Sequence, residues 1–251
     1  MTTPFDLSGQ TAIVTGANTG IGQAIALSLA AAGADIAAVG RTPAQDTVEK
    51  VRALGRQAQI VSADLSSIEP VQRVVDETLE KLGRLDILVN NAGIIRRADS
   101  VDFTEEDWDA VIDTNLKTTF FLCQAAGRQM LAQGAGKIIN IASLLSFQGG
   151  IRVPSYTASK SGVAGLTKLL ANEWAARGVN VNAIAPGYIA TNNTAALQAD
   201  ETRNRQIQER IPAGRWGDPG DIGGAAVFLA SSAAAYIHGH TLAVDGGWLA
   251  R

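Results

Sequence analysis

The stretch Thr11-Ala12-Ile13-Val14-Thr15-Gly16-Ala17-Asn18-Thr19-Gly20-Ile21-Gly22 decides the fold of this chain. Its first five residues form a largely apolar run, and its last seven carry glycines in the pattern Gly-x-x-x-Gly-x-Gly. Glycines let the chain turn tightly and let a phosphate approach the backbone, and a helix that begins here would direct unpaired N–H groups at that phosphate. A glycine-rich turn without a ligand is the alternative, because the spacing is not Gly-x-Gly-x-x-Gly. The order of strand, loop and helix favours a nucleotide site.

Short apolar runs alternate with longer helical patterns along all 251 residues. Most runs are continuously apolar, which is typical of parallel strands covered on both faces. The predicted strands are Thr11–Thr15, Asp35–Val39, Gln59–Ala63, Leu85–Asn90, Lys137–Ala142, Val179–Ile184 and Thr241–Val244. The apolar face predicted for the first helix consists of Ile21, Ala24, Ile25, Ser28, Leu29 and Ala32, with Gly33 at its end. We predict one α/β domain over residues 1–251: a Rossmann-type, doubly wound parallel sheet of about seven strands with helices on both faces.

Composition argues against several classes of partner. The formal net charge is −3, and no run of Lys or Arg occurs, so we predict neither nucleic acid nor membrane as a partner. The single cysteine, Cys123, permits no internal disulfide and suits a reducing, cytoplasmic compartment. Met1–Gln10 lacks the basic and apolar regions of a signal peptide. His238 and His240 have no acidic or cysteine partners at ligand spacing, so we predict no metal site.

The end of the second predicted strand bears on the choice of cofactor. Where an acidic residue would bind the adenosine ribose of NAD, this chain has Val39-Gly40-Arg41-Thr42. Arg41 is placed to pair with the 2′-phosphate of NADP, and a solvated surface arginine is the alternative. Asp64, which closes the third strand, could face the adenine or cap the following helix. We predict that NADP is favoured and that NAD is possible.

Tyr156 and Lys160 are four residues apart, so a helix would put both side chains on one face. Ser143 follows the fifth predicted strand, at the sheet edge where such folds bind ligands. Asn115 lies in a preceding helix. A Tyr-x-x-x-Lys spacing by itself could also be a pair of exposed side chains on a helix without a catalytic role. Its combination with the glycine loop favours a catalytic site.

These motifs resemble those of the short-chain dehydrogenase/reductase family. The matching elements cover essentially the whole chain and are Thr15-Gly16-x3-Gly20-x-Gly22, Asn90-Asn91-Ala92-Gly93, Asn115, Ser143, Tyr156-x3-Lys160 and Pro186-Gly187-x3-Thr191. The resemblance implies hydride transfer between a nicotinamide cofactor and a hydroxyl or ketone. It implies that Tyr156 is the acid/base, that Lys160 lowers its pKa and holds the nicotinamide ribose, that Ser143 orients the substrate carbonyl and that Asn115 maintains a proton-relay water.

The resemblance also implies which residues contact the cofactor. They are Gly16, Asn18, Thr19, Gly20, Ile21, Gly22, Arg41, Asp64, Leu65, Asn91, Ala92, Gly93, Tyr156, Lys160, Pro186, Gly187, Ile189 and Thr191. The charge of Lys160 is large enough to account for the lowered pKa that this role requires of Tyr156. Lowering a tyrosine pKa from about 10 to about 7 takes roughly 4 kcal/mol, and an ammonium about 4 Å away supplies about 4 kcal/mol at an effective dielectric of about 20.

Further segments resemble sugar-acid dehydrogenases within this family, and they are 95–97, 146–156, 187–194 and 244–251. A carboxylate with several hydroxyls suits arginine forks and amide side chains. The predicted substrate contacts are Arg96, Ser143, Gln148, Arg152, Tyr156 and Asn192. For Arg96 and Arg152 a surface or interface salt bridge is the alternative. A 3-oxoacyl carrier-protein reductase and a non-catalytic nucleotide-binding sensor or scaffold are the alternatives for the whole chain.

Two segments outside these motifs carry separate predictions. Residues 191–211 are polar and charged, and we predict a helical insertion over the carboxyl edge of the sheet that serves as a substrate lid. The chain ends in an apolar tail that contains Trp248. Since family members commonly form tetramers, we predict that the last strand and this tail lie in a homotetramer interface. The alternative is that Trp248 folds back on its own subunit.

Overall fold

The computed structural model describes residues 3–251, in which seven parallel strands form one sheet in the order β3-β2-β1-β4-β5-β6-β7. The strands are β1 Thr11–Thr15, β2 Asp35–Gly40, β3 Ala58–Ser62, β4 Ile87–Asn90, β5 Gly136–Ile141, β6 Val179–Pro186 and β7 Thr241–Val244. The predicted fold class is confirmed. The predicted bounds of β1 and β7 match, and the other strands differ by one or two residues at one end or both.

Helices cover both faces of the sheet. They are α1 Gly20–Ala31, α2 Gln45–Ala53, α3 Val71–Leu82, α4 Glu105–Ile112, α5 Thr118–Gln133, α6 Pro154–Trp174, α7 Ala195–Ala199, α8 Glu201–Arg210 and α9 Pro219–Ala230. Alternate residues of β1 enter different cores: Val14 packs in the cluster that includes Leu29 and Ile222, whereas Ile13 packs in the cluster that includes Val74 and Leu122. The continuous apolar runs therefore reflect burial on both faces.

The first helix differs slightly from its predicted face. Its buried residues are Gly22, Ile25, Ala26, Leu29 and Ala30. The face is rotated from the predicted one because α1 packs closely on α9, where a Cβ at Gly223 would lie 2.0 Å from the Ser28 hydroxyl oxygen. Gly33 follows the helix at a φ of 111°, a left-handed conformation that favours glycine, so the predicted end is confirmed.

The segment over the carboxyl edge of the sheet is helical, as predicted. It contains α7 and α8, and Ile207 and Ile211 pack with Leu144, which lies three residues beyond the end of β5. Trp216 joins this cluster and donates from Nε1 to Asn204 Oδ1 at 2.7 Å. The insertion is thus anchored beside Ser143 through a small core of its own.

The C-terminal tail folds back on its own chain. Trp248 is buried, packs 4.7 Å from the ring of Tyr188, and lies under the guanidinium of Arg210 at 4.0 Å. Arg251 donates to the Arg210 carbonyl oxygen at 3.1 Å. Trp248 therefore folds back on its own subunit, which is the alternative that the sequence left open, and the placing of the last strand and tail in an interface stays a prediction. None of the helices within residues 3–251 has the length and hydropathy needed to cross a membrane.

Candidate active site

The glycine loop between β1 and α1 is shaped for close approach by a ligand. Gly16 and Gly20 have φ values of 64° and 56°, which glycine adopts without strain. A Cβ at Gly22 would lie 2.1 Å from the Gly16 carbonyl oxygen, so a side chain there would displace the loop. The side chain of Thr19 accepts no hydrogen bond at the start of α1. The first N–H groups of this helix are therefore available to an anion.

Hydrogen bonds tie the loop after β4 to the glycine loop. Thr15 Oγ1 accepts from the backbone N–H groups of Asn91 and Ala92, both at 2.9 Å. Asn91 Nδ2 donates to the Thr15 carbonyl oxygen at 2.9 Å and to that of Gly16 at 3.3 Å. The two segments meet between β1 and β4, where the strand order reverses. Open α/β sheets bind their ligands at this position.

Arg41 is exposed on the loop after β2, and Asp64 is exposed after β3. Hydrogen bonds from the backbone and side chain of Ser66 lower the pKa of Asp64, and the charge of Arg41 contributes in the same direction. The two side chains are thus close to each other, at the edge where the adenosine end of a dinucleotide would lie. Asp64 caps no helix, because α3 begins only at Val71. The neighbouring Leu65 is buried.

Tyr156 lies in the first turn of α6, and the same helix carries Lys160 one turn later. Burial raises the pKa of Tyr156, whereas a hydrogen bond with Ser143 and the charge of Arg97 lower it by less. The Lys160 ammonium lies 5.6 Å from the centre of the Tyr156 ring. The net effect raises the pKa of Tyr156 in the free protein, and the lowering of that pKa by Lys160 stays a prediction.

Lys160 is buried, and its ammonium donates to the Ile141 carbonyl oxygen at 2.6 Å. Burial lowers its pKa to about 8. An ammonium has three donors, and this bond uses one of them. Lys160 therefore has the unused donors and the charge that a ribose contact at this position would need.

Asn115 lies in a π-helical turn, Asp113–Lys117, between α4 and α5. Its Oδ1 accepts from the Ile94 N–H and its Nδ2 donates to the Ile94 carbonyl oxygen, each at 2.8 Å. Nδ2 also reaches Ser159 Oγ at 3.5 Å, and Ser159 donates to the Tyr156 carbonyl oxygen at 2.8 Å. Asn115 thus fixes the loop after β4 relative to the helix that carries Tyr156. Short π-helical turns are frequent at functional sites.

The segment after β6 completes the carboxyl edge of the sheet. The Gly187 N–H donates to the Val244 carbonyl oxygen at 2.9 Å, next to Pro186 at the end of β6. Ile189 is buried against Gly217, so a cofactor contact there would involve its backbone. The side chain of Thr191 lies 3.5 Å from the position of a Cβ at Gly20. The insertion therefore begins directly beside the glycine loop.

The predicted substrate residues separate into free and engaged side chains. Arg96 pairs with Asp107 at 3.0 Å, and Arg152 pairs with Asp99 at 2.9 Å. Gln148 Oε1 accepts from Trp248 Nε1 at 3.3 Å. Asn192 is exposed at the start of the insertion. For the two arginines the geometry favours the surface salt bridge, the alternative that the sequence left open.

Two residues stand in the quoted motifs and segments but received no role of their own from the sequence. Thr15 organises both loops, and its position as the last strand residue before the glycines was the available signal. Arg97 is the arginine whose charge lowers the pKa of Tyr156, whereas its neighbour Arg96 was the predicted substrate contact. Within residues 3–251 no group of three or more His, Cys, Asp or Glu side chains could hold a metal ion.

A comparison with protein families gives a match over residues 16–249 to a family described as enoyl-(acyl carrier protein) reductase. The chain belongs to the short-chain dehydrogenase/reductase family. It is 58% identical over 248 residues to the 2-dehydro-3-deoxy-D-gluconate 5-dehydrogenase of Escherichia coli (strain K12), covering 98% of each chain. As a family member it is an NAD(P)-dependent oxidoreductase.

Solved structures of two relatives share the fold almost completely. One is from Agrobacterium tumefaciens, is proposed to be a 2-deoxy-D-gluconate 3-dehydrogenase, and has bound NADP; it is 61% identical, with a TM-score of 0.93 and 99% of each chain covered. The other is a gluconate 5-dehydrogenase from Burkholderia cenocepacia in complex with NADP and tartrate; it is 39% identical, with a TM-score of 0.94 and coverage of 99% of this chain and 98% of that one.

Proposed function

We propose that this enzyme interconverts a hydroxyl and a ketone on a deoxy sugar acid of the 2-dehydro-3-deoxy-D-gluconate type. One observation carries the proposal: Tyr156, whose pKa Ser143 affects and which lies one helical turn from Lys160, is on α6 beside the same sheet edge as the glycine loop. The identity of 58% to an enzyme with that printed activity supports the substrate class.

The cofactor site fits a nicotinamide dinucleotide. The left-handed glycines, the uncapped start of α1 and the partly unused ammonium of Lys160 suit a pyrophosphate at one end and a ribose at the other. The cofactor supplies or accepts the hydride. The task of the protein is then to hold the substrate carbon in line and to move one proton.

Tyr156 and Ser143 perform the proton transfer and the orientation. In ketone reduction the protonated Tyr156 hydroxyl donates its proton to the oxygen of the substrate, and Ser143 donates a hydrogen bond to the same oxygen. In alcohol oxidation Tyr156 must first lose its proton, which its raised pKa opposes. The charge of Lys160 stabilises that deprotonated form, and so does the charge of Arg97.

Arg41 supports a preference for NADP over NAD. It is an exposed cation at the end of β2, and no carboxylate occupies the strand end itself. Asp64 lies near enough to offset part of that charge. We therefore propose that the enzyme prefers NADPH but also accepts NADH.

The finer predictions on assembly and location are part of this proposal. We propose a homotetramer by analogy with the family, in a cytoplasmic location that suits a single buried cysteine whose pKa burial raises to about 12. We also propose that residues 191–211 act as a lid, since the insertion starts beside Gly20 and packs next to Ser143. Light scattering at micromolar concentration tests the tetramer, and a monomer would contradict it.

The test is an assay of the full chain with a panel of sugar acids and ketouronates, each with NADPH and NADH, followed at the nicotinamide absorbance band. We expect turnover of deoxy keto sugar acids and its loss in Tyr156→Phe. A 3-oxoacyl thioester is the competing substrate, because the family description names an acyl carrier protein reductase. Preferred turnover of the thioester would show that the substrate is an acyl thioester and not a sugar acid. Binding of the nicotinamide cofactor without turnover of any ketone would favour a non-catalytic nucleotide-binding sensor or scaffold.

A further inference from the structure

Thr47, in the first turn of α2, has a fully buried side chain whose hydroxyl bonds outside its own helix. Its Oγ1 donates to the carbonyl oxygen of Ala17, a residue of the glycine loop, at 2.7 Å. Helical threonines ordinarily bond the carbonyl oxygen four residues before them. The threonines of α3, α5 and α6 that do so are Thr78, Thr119, Thr157 and Thr167. Thr47 instead connects α2 to the glycine loop.

The direction of the Thr47 hydroxyl is fixed by its neighbours. Gln23 Nε2, on α1, donates to Thr47 Oγ1 at 2.9 Å and to Asp46 Oδ2 at 2.8 Å. Because an ionised carboxylate only accepts, the nitrogen of the Gln23 amide and not its oxygen faces this pair. A hydroxyl has a single hydrogen to donate, and the Gln23 bond occupies its acceptor side. The hydrogen of Thr47 is therefore directed at Ala17.

The bonded carbonyl group sets the direction of the next amide in the chain. No peptide bond within residues 3–251 is cis, and in a planar trans peptide the C=O and the N–H point in opposite directions. The Asn18 N–H therefore points away from Thr47, and it donates to no acceptor in this same part of the chain. The Gly16 N–H donates to the Val39 carbonyl oxygen at 2.8 Å, which holds the loop beside the end of β2. An oriented, unused donor thus lies on the side expected for the adenosine.

We propose that Thr47 is a positioning residue for the cofactor. It orients the peptide between Ala17 and Asn18 so that the Asn18 N–H donates to a phosphate or ribose oxygen in the adenosine half of the dinucleotide. Thr47 is buried behind the loop and acts only through that peptide. The assignment rests on the nicotinamide cofactor of the proposed function and does not depend on its sugar-acid substrate.

The test measures the Kd of NADPH and of adenosine 2′,5′-bisphosphate, a fragment without the nicotinamide half, by calorimetry on the full chain. Thr47→Val keeps the shape of the side chain but removes the hydroxyl, so both Kd values should rise by about 3- to 10-fold, the effect of one hydrogen bond. Thr47→Ser restores the donor and should recover most of the loss. Thr78→Val is the matched control, since Thr78 is equally buried and bonds the Val74 carbonyl oxygen at 2.8 Å within α3. It should leave both constants unchanged.

Hydrogen exchange on the wild type supplies a second measurement that needs no variant. Binding of NADPH should slow the exchange of the Asn18 N–H, followed by mass spectrometry with fragmentation to single residues. An Asn18 N–H that exchanges equally fast with and without NADPH would overturn the proposal, even if Thr47→Val failed to fold.

Failure of this assignment can be told from failure of the proposed function. Unchanged Kd values in a folded Thr47→Val, or an equal rise in Thr78→Val, would overturn the role of Thr47 and leave the cofactor in place. A rise for NADPH alone would also overturn it, because the effect would then lie in the nicotinamide half. A wild type that binds neither ligand would overturn the cofactor of the proposed function and this assignment with it.

Discussion

The cofactor side and the substrate side of the carboxyl edge are built on different principles. Around β1 and β4 the site consists of backbone: glycine conformations, an uncapped helix start and the hydrogen bonds of Thr15. Beyond β5 it consists of long side chains that pair across loops, such as Arg152 with Asp99. Backbone sites are encoded locally, whereas side-chain sites depend on which partner the fold brings near.

The comparison teaches where change is tolerated. A side chain added to a glycine of this loop would meet fixed backbone atoms. At Gly22, for example, the new Cβ would lie 2.1 Å from the Gly16 carbonyl oxygen. An exposed ion pair on the substrate side can be exchanged at a cost of about 1 kcal/mol or less. We therefore expect specificity to evolve on the substrate side while cofactor binding stays constant.

The largest expected effect separates chemistry from cofactor binding. Tyr156→Phe removes the hydroxyl that transfers the proton, so kcat should fall by about 10²- to 10⁴-fold while the Kd for NADPH stays near that of the wild type. Tyr236→Phe is the matched control, since that ring is 99% exposed. Steady-state kinetics and fluorescence titration of NADPH measure the two quantities. Near-normal turnover in Tyr156→Phe would exclude Tyr156 as the acid/base.

A substitution in the glycine loop should weaken cofactor binding instead of the chemical step. In Gly22→Ala the new Cβ would collide with the Gly16 carbonyl oxygen, so the loop must open and NADPH affinity should fall by about 100-fold. Gly224→Ala is the control, because nothing lies within 4 Å of a Cβ there, and it should be neutral or stabilising by about 0.5–1 kcal/mol. Normal NADPH affinity in Gly22→Ala would mean that the glycine loop does not hold the cofactor.

Lys160 lies between the cofactor side and the substrate side of the site. We expect the burial of its charge to lower the free energy of unfolding. Its pKa of about 8 lies below its ordinary value, so below pH 8 both folded and unfolded chains hold the proton. Between about pH 8 and 10.5 the unfolded chain binds more protons, and the free energy of unfolding of the wild type should rise. Lys160→Met should therefore be inactive yet more stable than the wild type by about 2–3 kcal/mol at pH 7, with a smaller difference at pH 10.

Denaturant unfolding of the cofactor-free protein at both pH values checks this expectation. Lys168→Met, an exposed lysine two turns further along α6, supplies the control and should change stability little at either pH. A Lys160→Met variant that is less stable than the wild type at pH 7 would show that the buried ammonium contributes more to the fold than its burial costs.

The smallest expected effect concerns Arg41. Arg41→Asp should shift the ratio of NADPH to NADH in kcat/KM by about tenfold toward NADH, because an exposed charge pair is replaced by repulsion of the 2′-phosphate. Arg41→Gln separates the lost attraction from the added repulsion and should shift it less. An unchanged ratio in both variants would mean that the cofactor side distinguishes the nucleotides through backbone alone.

The same contrast explains what the sequence could predict. Apolar runs identified all seven strands, and the glycine spacing located the phosphate loop, because both signals lie within a few adjacent residues. The rotated face of α1 depends on α9, some 200 residues away in the chain. The burial of Trp248 within its own chain depends on Tyr188 and Arg210, which are also distant from it in sequence. The salt bridge of Arg96 was left as an alternative, because several acidic residues follow it between Asp99 and Asp109 and the sequence does not say which of them it meets.

The π-helical turn at Asp113–Lys117 sets a constraint on insertions and deletions. A π turn holds about one residue more than an α turn, so it offsets the angular phase of α4 from that of α5 by about 100°. Excising one residue there would restore an uninterrupted α-helix and turn Asn115 away from Ile94. A one-residue gap at this point in a homologous sequence would therefore identify a chain in which Asn115 no longer anchors the loop after β4, even if Tyr156 and Lys160 were retained.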